Sequence, residues 1–125
     1  MTQPLGPNQE RWLRELETTD KKQGKKVLRS KDDEYCCLGI GCELIGLEPQ
    51  TTNALCCYSY GANWYDELAP TELIEYLGLY TYWGSPRRDD KGAEDIASMN
   101  DHGKTFKEIA AIIRADPSMY FSEPR

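Results

Sequence analysis

At 125 residues, 39% of them apolar and 29% charged, the chain has material for one hydrophobic core and not for two. No run approaches the roughly 20 apolar residues that a bilayer crossing needs, and Met1 to Glu10 lacks the basic-then-apolar order of a secretory leader, so a cytoplasmic protein with no membrane partner is expected. The net charge of −6 is uneven: six basic residues and no acid lie between Lys21 and Lys31, whereas from Asp32 onward seven basic residues face seventeen acidic ones, a balance that repels phosphate and disfavours direct nucleic-acid binding.

The first helix is expected over Gln9 to Thr18, with Asn8 as its N-cap and Trp12, Leu13 and Leu16 on one face. Gly24 then opens a segment in which Val27 and Leu28 lead to the polar turn Lys31-Asp32-Asp33 and on to Tyr35, the pattern of a small hairpin. The basic stretch itself reads as a solvated loop and strand edge, where lysines discourage further pairing.

From Cys36 to Ile45 the chain is nearly all apolar, so a buried helix is predicted, with Leu38, Cys42 and Ile45 aligned and Gly46 ending it. Gly39 and Gly41 oppose helix formation on propensity, and they read as places where another element packs at close range. Pro49 to Asn53 is loop-like, and Leu55 to Tyr60 alternates as a strand does.

Pro70 starts a helix running through Leu77, with Leu73, Ile74 and Leu77 inward, Gly78 in the left-handed position and Leu79 sealing the end. Gly84 to Asp90 reads as an exposed loop and as the most mobile part of the chain. Ala93 to Met99 is expected to form a short helix and Asn100-Asp101-His102-Gly103 a turn. Thr105 to Glu108 is a capping box opening a last helix, with Phe106, Ile109, Ala110, Ile112 and Ile113 toward the core and Pro117 as its stop. The sum is a small α+β single domain spanning 1–125, with about four helices and one or two short antiparallel hairpins. Residues 1–7 and 117–125 are its flexible or docked tails.

The residues offer little conventional chemistry. His102 is the only histidine, and it reads as a solvent-exposed turn residue. The five cysteines are odd in number and include the adjacent pairs Cys36-Cys37 and Cys56-Cys57, so they read as reduced, buried small hydrophobes. A zinc set from Cys37, Cys42, Cys56 or Cys57 and His102 has the wrong spacing for a compact knuckle, so no metal and no cofactor is expected. Gly39-Ile40-Gly41 lacks the third glycine and the lysine of a phosphate loop. The segment after Gly103 looks like the first helix of a helix-turn-helix, but no recognition helix follows Pro117. Surface recognition is left, and its candidates are Trp64, Tyr65, Tyr82, Trp83, Arg87 and Arg88, joined by Asn100 and Asp101, because binding hot spots favour Trp, Tyr and Arg.

Three blocks together carry a resemblance: Gln23-Gly24-x-x-x-Leu28-Arg29, then Tyr35-Cys-Cys-Leu-Gly-Ile-Gly-Cys-Glu43, then Met99-Asn-Asp-x-Gly103-x-Thr-Phe-x-Glu-Ile-Ala-x-Ile-Ile113. From about residue 10 to residue 114 the chain resembles a group of small proteins, uncharacterised in activity, carried by bacteriophages, prophages and bacteria. Cys56-Cys57 and His102 are not part of that pattern, which speaks against a zinc or thiol enzyme built on them. The resemblance implies a mobile-element setting and, for a phage-encoded chain, the host cytoplasm. It implies a non-enzymatic accessory protein that binds a host macromolecule, with inhibition of a defence system as one form of that activity. A small-molecule or nucleotide sponge or sensor is the alternative, and a thiol or zinc enzyme the third.

Overall fold

The apolar run after Tyr35 can be buried on every side only if other elements press against it directly, and its two glycines make this possible. The computed structural model describes residues 3–51, 57–60, 67–87 and 93–125. Helix α1 covers Pro7–Thr18, and three short strands follow, β1 at Lys22–Gln23, β2 at Arg29–Ser30 and β3 at Glu34–Tyr35. Helix α2 is Cys37–Leu44, strands β4 and β5 are Pro49–Thr51 and Cys57–Tyr60, and helix α3 is Thr71–Leu77. Helices α4 (Ile96–Asp101), α5 (Phe106–Ala115) and α6 (Pro117–Tyr120) complete an α+β domain. No helix among the described residues is long and apolar enough to cross a membrane.

In α2 every residue from Cys37 to Cys42 is buried. A methyl group on Gly39 would collide with the Leu28 carbonyl, and one on Gly41 would press on the Leu73 side chain and the Trp12 indole. The close-approach reading of both glycines is therefore correct. Trp12 donates its indole N–H to the Cys37 carbonyl at 3.1 Å and meets the Phe121 ring edge-on, so α1, α2 and the C-terminal segment share one core. Ile45, expected inward, is only half-buried because the helix has ended before it.

The strands form one sheet in the order β1-β3-β2-β5-β4, antiparallel except for the β1–β3 pair. The Lys31–Asp33 turn joins β2 to β3 as expected, whereas β1 is an addition: two residues pair with β3 because Gln23 is pinned further in. Pro49–Thr51, read as loop, is a strand against β5, with proline at its first position where a missing N–H is tolerated. Of the expected strand 55–60, residues 57–60 are seen and 55–56 lie outside the described residues.

Arg29 is not the solvated edge residue that its basic neighbours suggested. Its side chain is 19% exposed and lies between the Tyr35 and Tyr58 rings, 5.3 and 4.7 Å from their centroids, with Asp33 at 2.8 Å and Glu43 at 3.6 Å. The strand register places those rings directly opposite Arg29 on the neighbouring strands, so one cross-strand row stacks cation on aromatic.

Helix α1 begins two residues earlier than the Asn8 cap would allow, with Gly6 as N-cap. The Arg125 carbonyl accepts the amide hydrogens of Asn8 and Gln9, so the first turn needs no side-chain cap from Asn8, and Pro7 fits where no amide hydrogen is required. Buried Gln9 closes the same junction, donating to the Leu77 and Glu123 carbonyls and accepting from Gly6 N–H. The C-terminal segment is thus docked, with Tyr120 and Phe121 buried, and Pro117 both stops α5 and starts α6.

Helices α3 and α5 follow their sequence signals closely. Gly78 has φ +76° and the Gly78 and Leu79 amides both bond the Ile74 carbonyl, while Thr105 and Glu108 bond each other's backbone amides. Arg114 of α5 grips Glu10 and Glu17 of α1 in four hydrogen bonds of 2.7–3.0 Å, and these bonds hold both carboxyls below their ordinary range.

Gly39→Ala tests the close packing. The new methyl group meets a main-chain carbonyl that cannot rotate away, so denaturant unfolding should show a loss of about 1–3 kcal/mol or more. Gly46→Ala should lose less than this, because position 46 has open space and only its positive φ opposes a side chain.

Candidate functional site

The irregular arm from Leu79 to Arg87 carries the described large aromatics that face solvent, Tyr80, Tyr82 and Trp83. The arm is well fixed at its backbone. The Ala69 amide bonds the Tyr82 carbonyl, Ile96 and Ala97 amides bond the Gly84 and Trp83 carbonyls, and the Arg87 amide bonds the Met119 carbonyl at 2.6 Å. The Thr81 hydroxyl oxygen accepts from the Trp83 and Ser85 amides, which folds the arm on itself.

Gly84, expected in an exposed loop, is buried at φ +69°, where a methyl group would strike the Ile96 side chain. The exposed part of that loop thus starts later, and Arg87 is exposed. Tyr80 spends its hydroxyl on the Ser118 and Phe121 carbonyls. Tyr82, 51% exposed, and Trp83, 45% exposed, keep their hydroxyl and indole N–H without partners among the described residues. Trp64, Tyr65 and Arg88 lie outside the described residues.

Behind the arm, Trp83 lines a cavity of about 280 Å³, with Lys26, Cys36, Glu67, Ala97 and Asp101 as the other described lining residues. Asp101 Oδ1 accepts the Lys26 amide at 2.7 Å and holds Lys26 at φ +71°, a conformation unusual for a side-chain-bearing residue. Helix α4 runs on through Asn100 and Asp101, so the expected turn is reduced to His102 and Gly103. Its first turn is capped by Asp95, which bonds the Ser98 amide.

The structure brings Trp83 and Asp101 together and separates them from Asn100. Asn100 is 0% exposed, and its side chain bonds inward: Oδ1 accepts from the Cys37 amide and Gln23 Nε2, and Nδ2 donates to the Gly24 carbonyl. The structure thus places this candidate contact residue inside the fold and not on its surface. Lys26, Cys36 and Glu67 were missed by sequence reasoning; the three lie in separate segments and have no common motif.

The described cysteines behave as small hydrophobes. Cys36, Cys37 and Cys42 are free and buried, and Cys57 is buried. Burial pushes the Cys36 thiol up to about 11 and those of Cys37 and Cys42 well above the ordinary range. Cys36 Sγ accepts the Gly39 amide as the N-cap of α2, and Cys37 lies against the Ile96 carbonyl. His102 pairs with Glu94 at 2.7 Å on the surface. No group of three His, Cys, Asp or Glu residues converges on a metal position among the described residues.

Fold and site together define a small α+β domain that displays an aromatic arm beside a cavity. The model of a family described as a domain of unknown function, DUF8296, matches residues 7–117, and the chain belongs to that family. No curated protein and no solved structure matches it.

The thiol environment gives a pH-dependent expectation. With the Cys36 thiol raised to about 11, alkylation of native protein by iodoacetamide, read by mass spectrometry, should leave Cys36, Cys37 and Cys42 unmodified at pH 9, whereas urea-unfolded protein reacts at all of them. Because an unfolded thiol ionises first, these cysteines stabilise the fold below about pH 8.5 and that contribution declines as pH rises toward the folded values. Rapid native labelling of Cys36 would show an activated thiolate instead.

Proposed function

We propose that this chain is a non-enzymatic binding protein that docks on another protein through Tyr82, Trp83 and Arg87. The observation that carries the reading is an exposed aromatic pair with unspent polar groups on a backbone pinned from both sides. Binding normally costs conformational freedom, and a prefixed arm has already surrendered most of its own. Aromatic and arginine side chains are also the residues on which interface energy concentrates. The acidic surface supports a protein partner over a nucleic acid, since phosphates would be repelled over most of the molecule.

The resemblance to phage and prophage proteins supports a host protein as that partner and interference with a host defence system as the outcome. The nucleotide sponge or sensor is the second reading, supported by the exposed Trp83 indole, on which a base can stack. Release of a stoichiometric nucleotide on heating the purified protein would favour it.

The test is a paired capture from extract of the native host, using the wild-type chain and a Tyr82→Ala/Trp83→Ala variant. Both side chains are exposed, so the variant should unfold within a few degrees of wild type. A protein retained at stoichiometry by wild type should bind the variant at least about thirtyfold more weakly, the equivalent of losing roughly 2 kcal/mol at a hot spot. Equal affinity for both chains would overturn the reading.

A further inference from the structure

We infer that the cavity behind Trp83 is a receptor for an arginine side chain of the partner protein. This inference rests on the binding reading above and names the chemistry that the partner must present. Among the described lining residues, the charges are the carboxylates of Glu67 and Asp101 and the ammonium of Lys26. Glu67 makes no hydrogen bond or ion pair among the described residues. Among the described residues, Asp101 bonds through Oδ1, on the Lys26 amide. Trp83 also lines the cavity, and Cys36 and Ala97 add neutral lining.

Size and charge select the occupant together. At about 280 Å³ the cavity is just below the range of roughly 300–1,000 Å³ that encloses a drug-sized ligand, and it opens to solvent. A side chain entering from a bound surface fits that volume better than a whole nucleotide. The described lining is net negative, which disfavours phosphate and favours a cation. Indole faces attract cations more strongly than other aromatic side chains do. A guanidinium is preferred to an ammonium because its plane stacks on an indole while its edge still offers paired N–H groups to a carboxylate.

The arm geometry supports the same assignment. The Ala97 amide bonds the Trp83 carbonyl, so the backbone that carries the indole is tied to the helix, α4, that supplies Asp101. The main chain on the aromatic and carboxylate sides is therefore fixed before a ligand arrives.

The experiment follows the Trp83 indole N–H by ¹⁵N–¹H correlation spectroscopy, assigned with Trp83→Phe, during titration with N-acetyl-arginine amide. N-acetyl-citrulline amide, of nearly the same shape but uncharged, is the control. A saturable shift with the arginine probe and none with citrulline is expected. Glu67→Gln/Asp101→Asn should weaken binding of the arginine probe by about tenfold or more. Asn at 101 keeps an acceptor for the Lys26 amide, so this variant should remain folded, as circular dichroism would verify.

No saturable shift, equal response to citrulline, or undiminished binding by the neutral variant would overturn the inference. The captured partner separates the two claims. If it is lost by Tyr82→Ala/Trp83→Ala but kept by Glu67→Gln/Asp101→Asn, the arginine receptor is refuted and the aromatic docking surface stands. If both variants keep it, both are refuted.

Discussion

The fold turns on one buried polar junction, the amides of Asn100 and Gln23. Asn100 accepts from the Cys37 amide and from Gln23 and donates to the Gly24 carbonyl. Gln23 also donates to the Lys104 carbonyl and accepts from the Phe106 amide. The two side chains therefore satisfy backbone groups from the β1 segment, the start of α2 and the start of α5. Each of those groups, buried and unpaired, would cost about 1–3 kcal/mol. A complete network of this kind is favourable, whereas an incomplete one is worse than an apolar core.

Because Asn100 sits in the last turn of α4, the junction also fixes the helix that organises the surface. The first turn of α4 holds the Trp83–Gly84 backbone and supplies Ala97 to the cavity, and its end supplies Asp101, which in turn constrains Lys26. The far side of the arm is secured through Arg87 to the α6 segment. That segment is itself held down by Phe121 in the core and by Arg125 on the α1 N-terminus. The binding surface thus depends on elements distant in sequence, and loosening either end should release the same arm.

What was legible in the sequence was local. The Thr105–Glu108 capping box, the left-handed Gly78 and the apolar run with Gly39 and Gly41 each carry their signal within a few residues, and each is found where it was expected. What was not legible depends on remote partners. The α1 cap comes from Arg125, more than a hundred positions away, so Asn8 looked like the better cap. Strand β1 is two residues long, below any periodicity. Asn100, in a stretch with Asp, His and Gly, has the composition of an exposed turn, and only the tertiary fold turns it inward. Arg29 misled for the same reason, since its aromatic neighbours arrive from two other strands. Of the candidate site, Tyr82, Trp83 and Arg87 were readable as exposed hot-spot types. The meeting of Trp83 with Asp101, and the part of Lys26, Cys36 and Glu67, were not.

The central claim is that Asn100 holds α4 and that α4 holds the aromatic arm. Native-state amide hydrogen exchange on wild type and Asn100→Ala, at low temperature where the variant stays folded, measures this coupling directly. If the claim is right, the Cys37 amide loses protection together with the Ile96 and Ala97 amides that bond the arm, each by roughly a hundredfold for a loss of about 2–3 kcal/mol. The Gly78 and Leu79 amides at the end of α3 should keep more of theirs. Loss of protection at Cys37 alone, with Ile96 and Ala97 exchanging as in wild type, would contradict it.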